Sequence, residues 1–197
     1  MSAPPAAPLL LASTSPQRRA ILEQLGIPFE AVEPRYEEHD PPEADAVELV
    51  KAHAQGKARS VADEAGDRPV LGVDTAVVLG GRIFGKCSSA EAAAQMLEAL
   101  GGKPHLVVSG LCLLTPGWEV VDHEATRVVF RSLTPRDVAH YVASGEWQGR
   151  AGAYAIQGFG AALVEEIEGD YLNVVGLPAA LLVRLLAERF AGVYGFG

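Results

Sequence analysis

A carboxylate stands in the middle of an otherwise apolar run, Val70-Leu71-Gly72-Val73-Asp74-Thr75-Ala76-Val77-Val78-Leu79. A buried carboxylate is costly unless it is paired, hydrogen-bonded or metal-bound. Asp74 is therefore a candidate functional group, against the alternative of an Asp satisfied by neighbouring backbone. Lys57 is a candidate cation. Val47, Val50, Ala54 and Val61 form an apolar stripe at helical spacing, and Lys57 falls within it. Such a lysine either snorkels to water or meets an anion in a cleft. A third group is Ser13-Thr14-Ser15-Pro16-Gln17-Arg18-Arg19, a hydroxyl-rich turn running into a helix with two arginines in its first turn. Helix N-termini bind phosphate through free N–H groups. Cations there oppose the helix dipole and call for an anion or another role. An N-cap followed by two solvated arginines fits the same pattern.

Gly80-Gly81-Arg82-Ile83-Phe84-Gly85-Lys86-Cys87 misses the phosphate-loop pattern GxxxxGK[ST] only at its last residue, where the metal-binding hydroxyl belongs. Ile83 and Phe84 suit a strand better than a loop wrapped round phosphates, so the segment reads as a Gly-Gly hairpin whose return strand delivers Lys86. In Gly149–Gly160, four glycines in twelve residues allow close backbone approach to a ligand, and Gln157 could read a base edge as donor and acceptor. Glu37, Glu38 and Asp40 form an acidic run that suits a metal or a solvated surface. The five histidines show no ligand spacing. Trp118 and Trp147 flank turns and read as packing residues.

These groups need elements to hold them. Leu9–Ala12 and Phe29–Val32 read as strands. Pro16–Leu25 reads as a helix, with Ser15 as N-cap and Gly26 as stop. Pro34–Asp45 is a polar surface loop and Ala44–Ala65 a long helix. Val70–Leu79 and Arg82–Phe84 pair around Gly80-Gly81. Ala90–Leu100 is a helix with a capping box from Ser88 to Glu91 and an end at Gly101. Leu106–Leu114 and Val120–Phe130 are a pair of strands around Pro116-Gly117. A helix runs from Thr134 to Ala143, a strand lies near Ala162–Ile167, and Ala179–Phe190 is an amphipathic helix. Hairpins and helix-separated strands together imply an α/β protein with a mixed sheet.

The 197 residues suit one domain, and 49% apolar against 21% charged residues excludes wholesale disorder. A net charge of −9 has the wrong sign for a dedicated nucleic-acid binder. Cys87 and Cys112 form neither a disulfide framework nor a zinc site. No run approaches the roughly 18 apolar residues of a membrane helix. Met1–Ala12 lacks the basic region of a signal peptide, so the expected location is the cytoplasm.

In order along the chain, these segments resemble the Maf family of nucleoside triphosphate pyrophosphatases, first known as septum-formation inhibitors. Leu10-Leu11-Ala12-Ser13-Thr14-Ser15-Pro16-Gln17-Arg18-Arg19 is similar to the opening "LAS-x-SP-x-R" signature, and Lys57-Ala58 to the helical "KA". Leu71–Thr75 resembles the "GADT" strand and Gly85-Lys86 the "GK" after it. Ala151–Gly158 is similar to "AGAYGIQG" and Val175–Pro178 to "VGLP".

The resemblance implies a single domain over residues 1–197, with two lobes around a central cleft. Its elongated mixed sheet would be flanked by helices and inosine-triphosphatase-like, and the protein would be a homodimer. The implied reaction cleaves a nucleoside triphosphate to monophosphate and pyrophosphate with Mg²⁺ or Mn²⁺, for nucleotide-pool housekeeping or cell-division arrest. Ser13, Arg18, Lys57 and Lys86 would grip the triphosphate. Glu38 and Asp74 would form the metal and water site, with the proton acceptor at Asp74. Cys87 stands where the family has proline. Base choice in the family follows three positions. Thr75 and Gln157 match the dTTP and UTP type, whereas Gln17 fits neither that type nor the 7-methyl-GTP type. The rival readings are a 7-methyl-GTP pyrophosphatase, a P-loop NTPase built on Gly80–Cys87, and a nucleotide-sensing division regulator that binds without turnover.

Overall fold

The computed structural model describes residues 7–41 and 44–197. Residues 1–6, and with them half of the segment weighed as a leader, lie outside it. Strand β1 (Leu9–Ala12) leads through a turn into α1 (Pro16–Gln24), where Ser15 caps the helix and Pro16 opens it. Strand β2 (Phe29–Val32) follows, then an irregular loop, then α2 (Ala46–Ser60), capped by Asp45 through the N–H groups of Val47 and Glu48.

The helix expected to run on to Ala65 breaks at Val61. The Ser60 hydroxyl donates to the Lys57 carbonyl at 2.8 Å, and the Val61 N–H turns to Ala58. A separate short turn of helix, α3, covers Ala62–Ala65. Strands β3 (Val70–Leu79) and β4 (Arg82–Phe84) form the expected hairpin, with Gly80 and Gly81 at φ 58° and 82°.

Helix α4 (Ala90–Leu100) is capped by Ser89 rather than Ser88, because the extended cap backbone falls one residue later. Glu91 therefore misses the box position, and only the Ser89 side chain caps, through Ala92 N–H. Strands β5 (Pro104–Leu114) and β6 (Glu119–Phe130) and helix α5 (Pro135–Ala143) follow. The strand expected at Ala162–Ile167 is displaced. The Glu146 carboxylate accepts the N–H groups of Phe159 and Gly160, which draws Phe159–Leu163 into a 3₁₀ turn, so β7 covers Val164–Glu168. Helix α6 (Tyr171–Val175), not anticipated, is capped by Asp170, and α7 (Ala179–Phe190) comes last. Among the described residues no helix is long and apolar enough to cross a membrane.

The seven-stranded sheet runs β2-β1-β3-β5-β6-β7, with β4 also on β3. The β2–β1 and β1–β3 pairings are parallel and the rest antiparallel, which makes the mixed α/β sheet expected. Strand β1 covers β3 only from Val70 to Gly72, and β4 covers it only from Val77 to Leu79. Between them, the edge of β3 at Val73–Ala76 has no strand partner among the described residues.

Apolar residues bury both faces of the sheet. Leu9, Leu11, Leu71 and Val73 pack with α1 and α7, and Leu10, Ala12 and Val70 with α2. A separate core gathers Val77, Leu97, Phe130, Tyr141 and Tyr154. Helix α2 lies directly on the strands. A Cβ on Gly72 would sit 2.1 Å from the Ala54 carbonyl oxygen, and one on Gly110 would sit 2.2 Å from that of Val50.

Within the third core, His105 packs edge-on against Phe130 and reaches the Tyr154 hydroxyl through Nε2 at 3.0 Å. Burial pushes its pKa down to about 4, against a smaller opposing contribution from the backbone at Lys103. The folded imidazole stays neutral where the unfolded one charges. Its contribution to stability is complete above about pH 6.5 and is lost as pH falls toward about 4, by on the order of 3 kcal/mol. His105→Gln is expected to flatten unfolding free energy against pH in that window. Denaturant titrations at pH 7 and 4.5 measure it, and an unchanged slope would refute the assignment.

Candidate active site

The unpartnered stretch of β3 is the floor of a cleft of about 350 Å³. Successive strand residues point to opposite faces. Asp74 turns toward α2, and Thr75 turns toward α1 and the turn after α6. On the α2 side, Lys57 is buried and contacts two carboxylates. Its Nζ lies 2.5 Å from Asp74 Oδ1 and 2.6 Å from Glu38 Oε1. The lysine in the apolar stripe thus meets anions rather than snorkelling. The carboxylate in the apolar strand is ion-paired, not satisfied by its own backbone.

Desolvation alone would raise the Glu38 pKa. The hydrogen bond and charge of Lys57, helped by Lys86, outweigh it and hold that carboxyl below its ordinary value. Lys86 is exposed at the cleft and makes no ion pair among the described residues. Its backbone bridges to Ala151, which draws the glycine-rich segment onto the hairpin.

On the other side, Arg18 is tied to the protein itself. Nε donates to the Gly176 carbonyl at 2.9 Å, Nη1 to Ser13 Oγ at 3.1 Å and Nη2 to Thr75 Oγ1 at 3.3 Å. Burial lowers its pKa, and the charges of Asp74 and Glu38 oppose the shift. Thr75 Oγ1 also lies 2.9 Å from Ser109 Oγ. Ser13 is buried and accepts the Ser15 N–H, while Gln17 accepts the Ser15 hydroxyl. Gln157 is exposed on the cleft wall.

The nine residues given site roles from the family resemblance line this one cleft, Ser13, Gln17, Arg18, Glu38, Lys57, Asp74, Thr75, Lys86 and Gln157, whereas Arg19, Glu37 and Asp40, weighed beside them, do not. Two further groups were not singled out. Arg150 lines the cleft with a buried Nε that has no hydrogen-bond partner. Its one sequence signal is its place in the glycine-rich run. Gly176 offers the carbonyl that holds Arg18.

The donor set suits a small hard cation. Mg²⁺ and Mn²⁺ take carboxylate oxygens, and Mg²⁺ is commonly held by one or two carboxylates together with substrate phosphates. Glu38 and Asp74 supply two such groups. Among the described residues no group of three or more His, Cys, Asp or Glu is placed to hold a metal ion, so waters or a bound anion would complete the shell. The Gly80–Cys87 segment is a strand hairpin. Gly80 and Gly81 sit in a tight turn before β4 and Gly85 directly after it, none of them at a helix N-terminus, which excludes a phosphate loop there.

A family model described as Maf-like protein matches residues 8–189. The chain is 48% identical to the dTTP/UTP pyrophosphatase of Gloeobacter violaceus over 91% of this chain and 95% of that one. It is 48% identical to that of Moorella thermoacetica over 95% and 97%. With that of Deinococcus radiodurans the identity is 44% over the full length of both. Among solved structures, a HAM1 protein from Coxiella burnetii aligns with a TM-score of 0.42 and 17% identity, over 62% of this chain and 72% of that one. The relatives match along nearly their whole length and the family model spans the whole cleft, so the chain is a member of the Maf family.

Proposed function

We propose that the cleft hydrolyses a nucleoside triphosphate at the α-phosphorus, yielding the monophosphate and pyrophosphate, with dTTP and UTP preferred. One observation carries the reading. Lys57 gathers two carboxylates from distant parts of the chain beside two cations, Lys86 and Arg150, that make no ion pair among the described residues. A triphosphate carries about four negative charges, so neutralisation dominates catalysis at phosphorus. Arg18 and Lys57 are already committed to protein groups, so Lys86 and Arg150 supply the main grip. The spare N–H groups of Arg18 and the α1 N-terminus add to it.

Glu38 and Asp74 would hold Mg²⁺ or Mn²⁺, which supplies charge neutralisation at the phosphates when bound. Water attacks the α-phosphorus, the bond to the bridging oxygen breaks, and pyrophosphate leaves. Asp74 acts as proton acceptor for the water or as holder of the ion, and either role uses its charge. The neighbouring face handles the base. Gln157 can donate to a pyrimidine carbonyl and accept from N3–H, a pattern that thymine and uracil share. Two separate cores beside the cleft support a single domain of two lobes. We place the enzyme in the cytoplasm, its expected location, and as a homodimer, as the family resemblance implies.

A panel of nucleotides with Mg²⁺ or Mn²⁺, with the phosphate product identified, tests the reading. Pyrophosphate release with dTTP and UTP as the best substrates is expected. A kcat/KM for 7-methyl-GTP tenfold above theirs would overturn the base assignment, and tight binding without turnover would favour a sensor. Lys86→Ala and Arg150→Gln are each expected to lower kcat/KM about 10- to 100-fold, since a charged contact is worth about 1.5–3 kcal/mol. Wild-type kinetics in both would show that the grip lies elsewhere.

A further inference from the structure

Glu38 sits in a stretch without helix or strand, yet its carboxylate is placed within 2.6 Å of Lys57. The neighbours of Glu38 show how. His53, Gly56, Lys57 and Ser60 follow the spacing i, i+3, i+4, i+7 and share one face of α2. The loop is fastened to that face at four residues, Arg35, Tyr36, Glu38 and Asp40. Arg35 bonds through its N–H to Ser60 Oγ at 3.1 Å and through Nε to the Ser60 carbonyl at 3.0 Å. The Tyr36 ring occupies the space a side chain at Gly56 would fill, since a Cβ there would lie 2.2 Å from it. Glu38 meets Lys57, and Asp40 meets His53.

His53 is the central fastener. It is buried, and both ring nitrogens are engaged, Nδ1 by the Tyr36 hydroxyl at 3.1 Å and Nε2 by Asp40 Oδ1 at 2.8 Å. With a neutral ring only one arrangement satisfies both contacts. Nε2–H donates to the carboxylate, and Nδ1 accepts from the phenol. The residues two before and two after Glu38 are therefore tied to the same imidazole. Lys57 alone does not give that placement, because its ammonium is shared with Asp74 and the Glu38 side chain is 44% exposed.

We propose that His53, through Tyr36 and Asp40, is a positioning residue that sets the Glu38 carboxylate in the cleft. The proposal rests on the role given to Glu38 above. It gives an unassigned buried histidine a part in the reaction without contact to substrate.

The full-length protein tests it by two readouts. The first is amide hydrogen exchange at residues 35–40 in the protein alone, where Asp40→Ala and Tyr36→Phe are expected to speed exchange at least tenfold. Asp40 is exposed, and Tyr36→Phe keeps the ring against Gly56 while removing only the hydroxyl, so these variants do not depend on repacking the core. The second is steady-state kinetics with dTTP. The same variants should lower kcat about tenfold with KM within twofold. His53→Gln, which can keep a donor toward Asp40, should recover most of the loss that His53→Leu causes. In a Glu38→Gln background, Asp40→Ala should cost less than a further twofold. Glu38→Gln at the wild-type rate would overturn the role of Glu38 and this proposal with it. An impaired Glu38→Gln combined with unchanged exchange, or with a full further loss from Asp40→Ala, would overturn this proposal alone.

Discussion

Asp74→Asn is expected to fold as the parent does and to lose about 10²- to 10⁴-fold in kcat, the range that removal of a positioned acid–base group commonly produces. The substitution keeps shape and volume, so the packing of β3 beneath α2 is unchanged. It removes one of the two negative charges that Lys57 holds and the only carboxylate on the unpartnered edge of β3. A proton acceptor and an ion ligand are lost together. Single-turnover rates with dTTP, beside a melting curve, separate chemistry from stability. An unaltered kcat would remove Asp74 from the reaction.

Lys57→Met should have an effect of similar size by another route. Methionine fills the same channel between α2 and the sheet, but Asp74 and Glu38 then face each other without their shared cation. Like charges favour protonation of one partner. Glu38 is held below its ordinary pKa in the wild type by Lys57, working against desolvation. Without that lysine its pKa rises, and the acidic limb of the rate profile moves to higher pH. The direction follows from the role of the ionised form, which is lost sooner as pH falls. A fall in kcat/KM of about a hundredfold at neutral pH is expected, together with a raised demand for divalent ion. An acidic limb at its wild-type position would contradict the pairing.

What could be read from the sequence was what local patterning determines. Asp74 stood out because a strand of apolar neighbours has no other use for a carboxylate, and Lys57 because helical periodicity placed it in a buried stripe. The Gly80-Gly81 hairpin was legible for the same reason. Contacts formed across the fold were not. The break of the long helix depends on which carbonyl the Ser60 hydroxyl takes, and two adjacent serines competed to cap α4. His53 shows no ligand spacing, because its partners come from a loop 13 and 17 residues away. Arg150 is marked out only in the folded chain, by a buried Nε without a hydrogen-bond partner among the described residues. Convergence of the nine positions on one cleft was implied by family resemblance, and spacing alone did not show it.

The seat of α2 has a consequence for how the chain can change. Between most helices and a sheet lies a layer of side chains whose repacking lets the elements shift as the core is altered. At Gly72 and Gly110 there is no such layer, and helix backbone rests on strand backbone. That contact acts as a hard stop and fixes how far Lys57 stands from Asp74 regardless of what the rest of the interior does. Tolerance to substitution should therefore be uneven. The leucine-rich contact of α7 can drift, with losses that appear in stability and leave turnover alone. A single methyl group added at Gly72 would lift α2, with Lys57 and His53, off the strand that carries Asp74. There, a packing change would register first as a kinetic one.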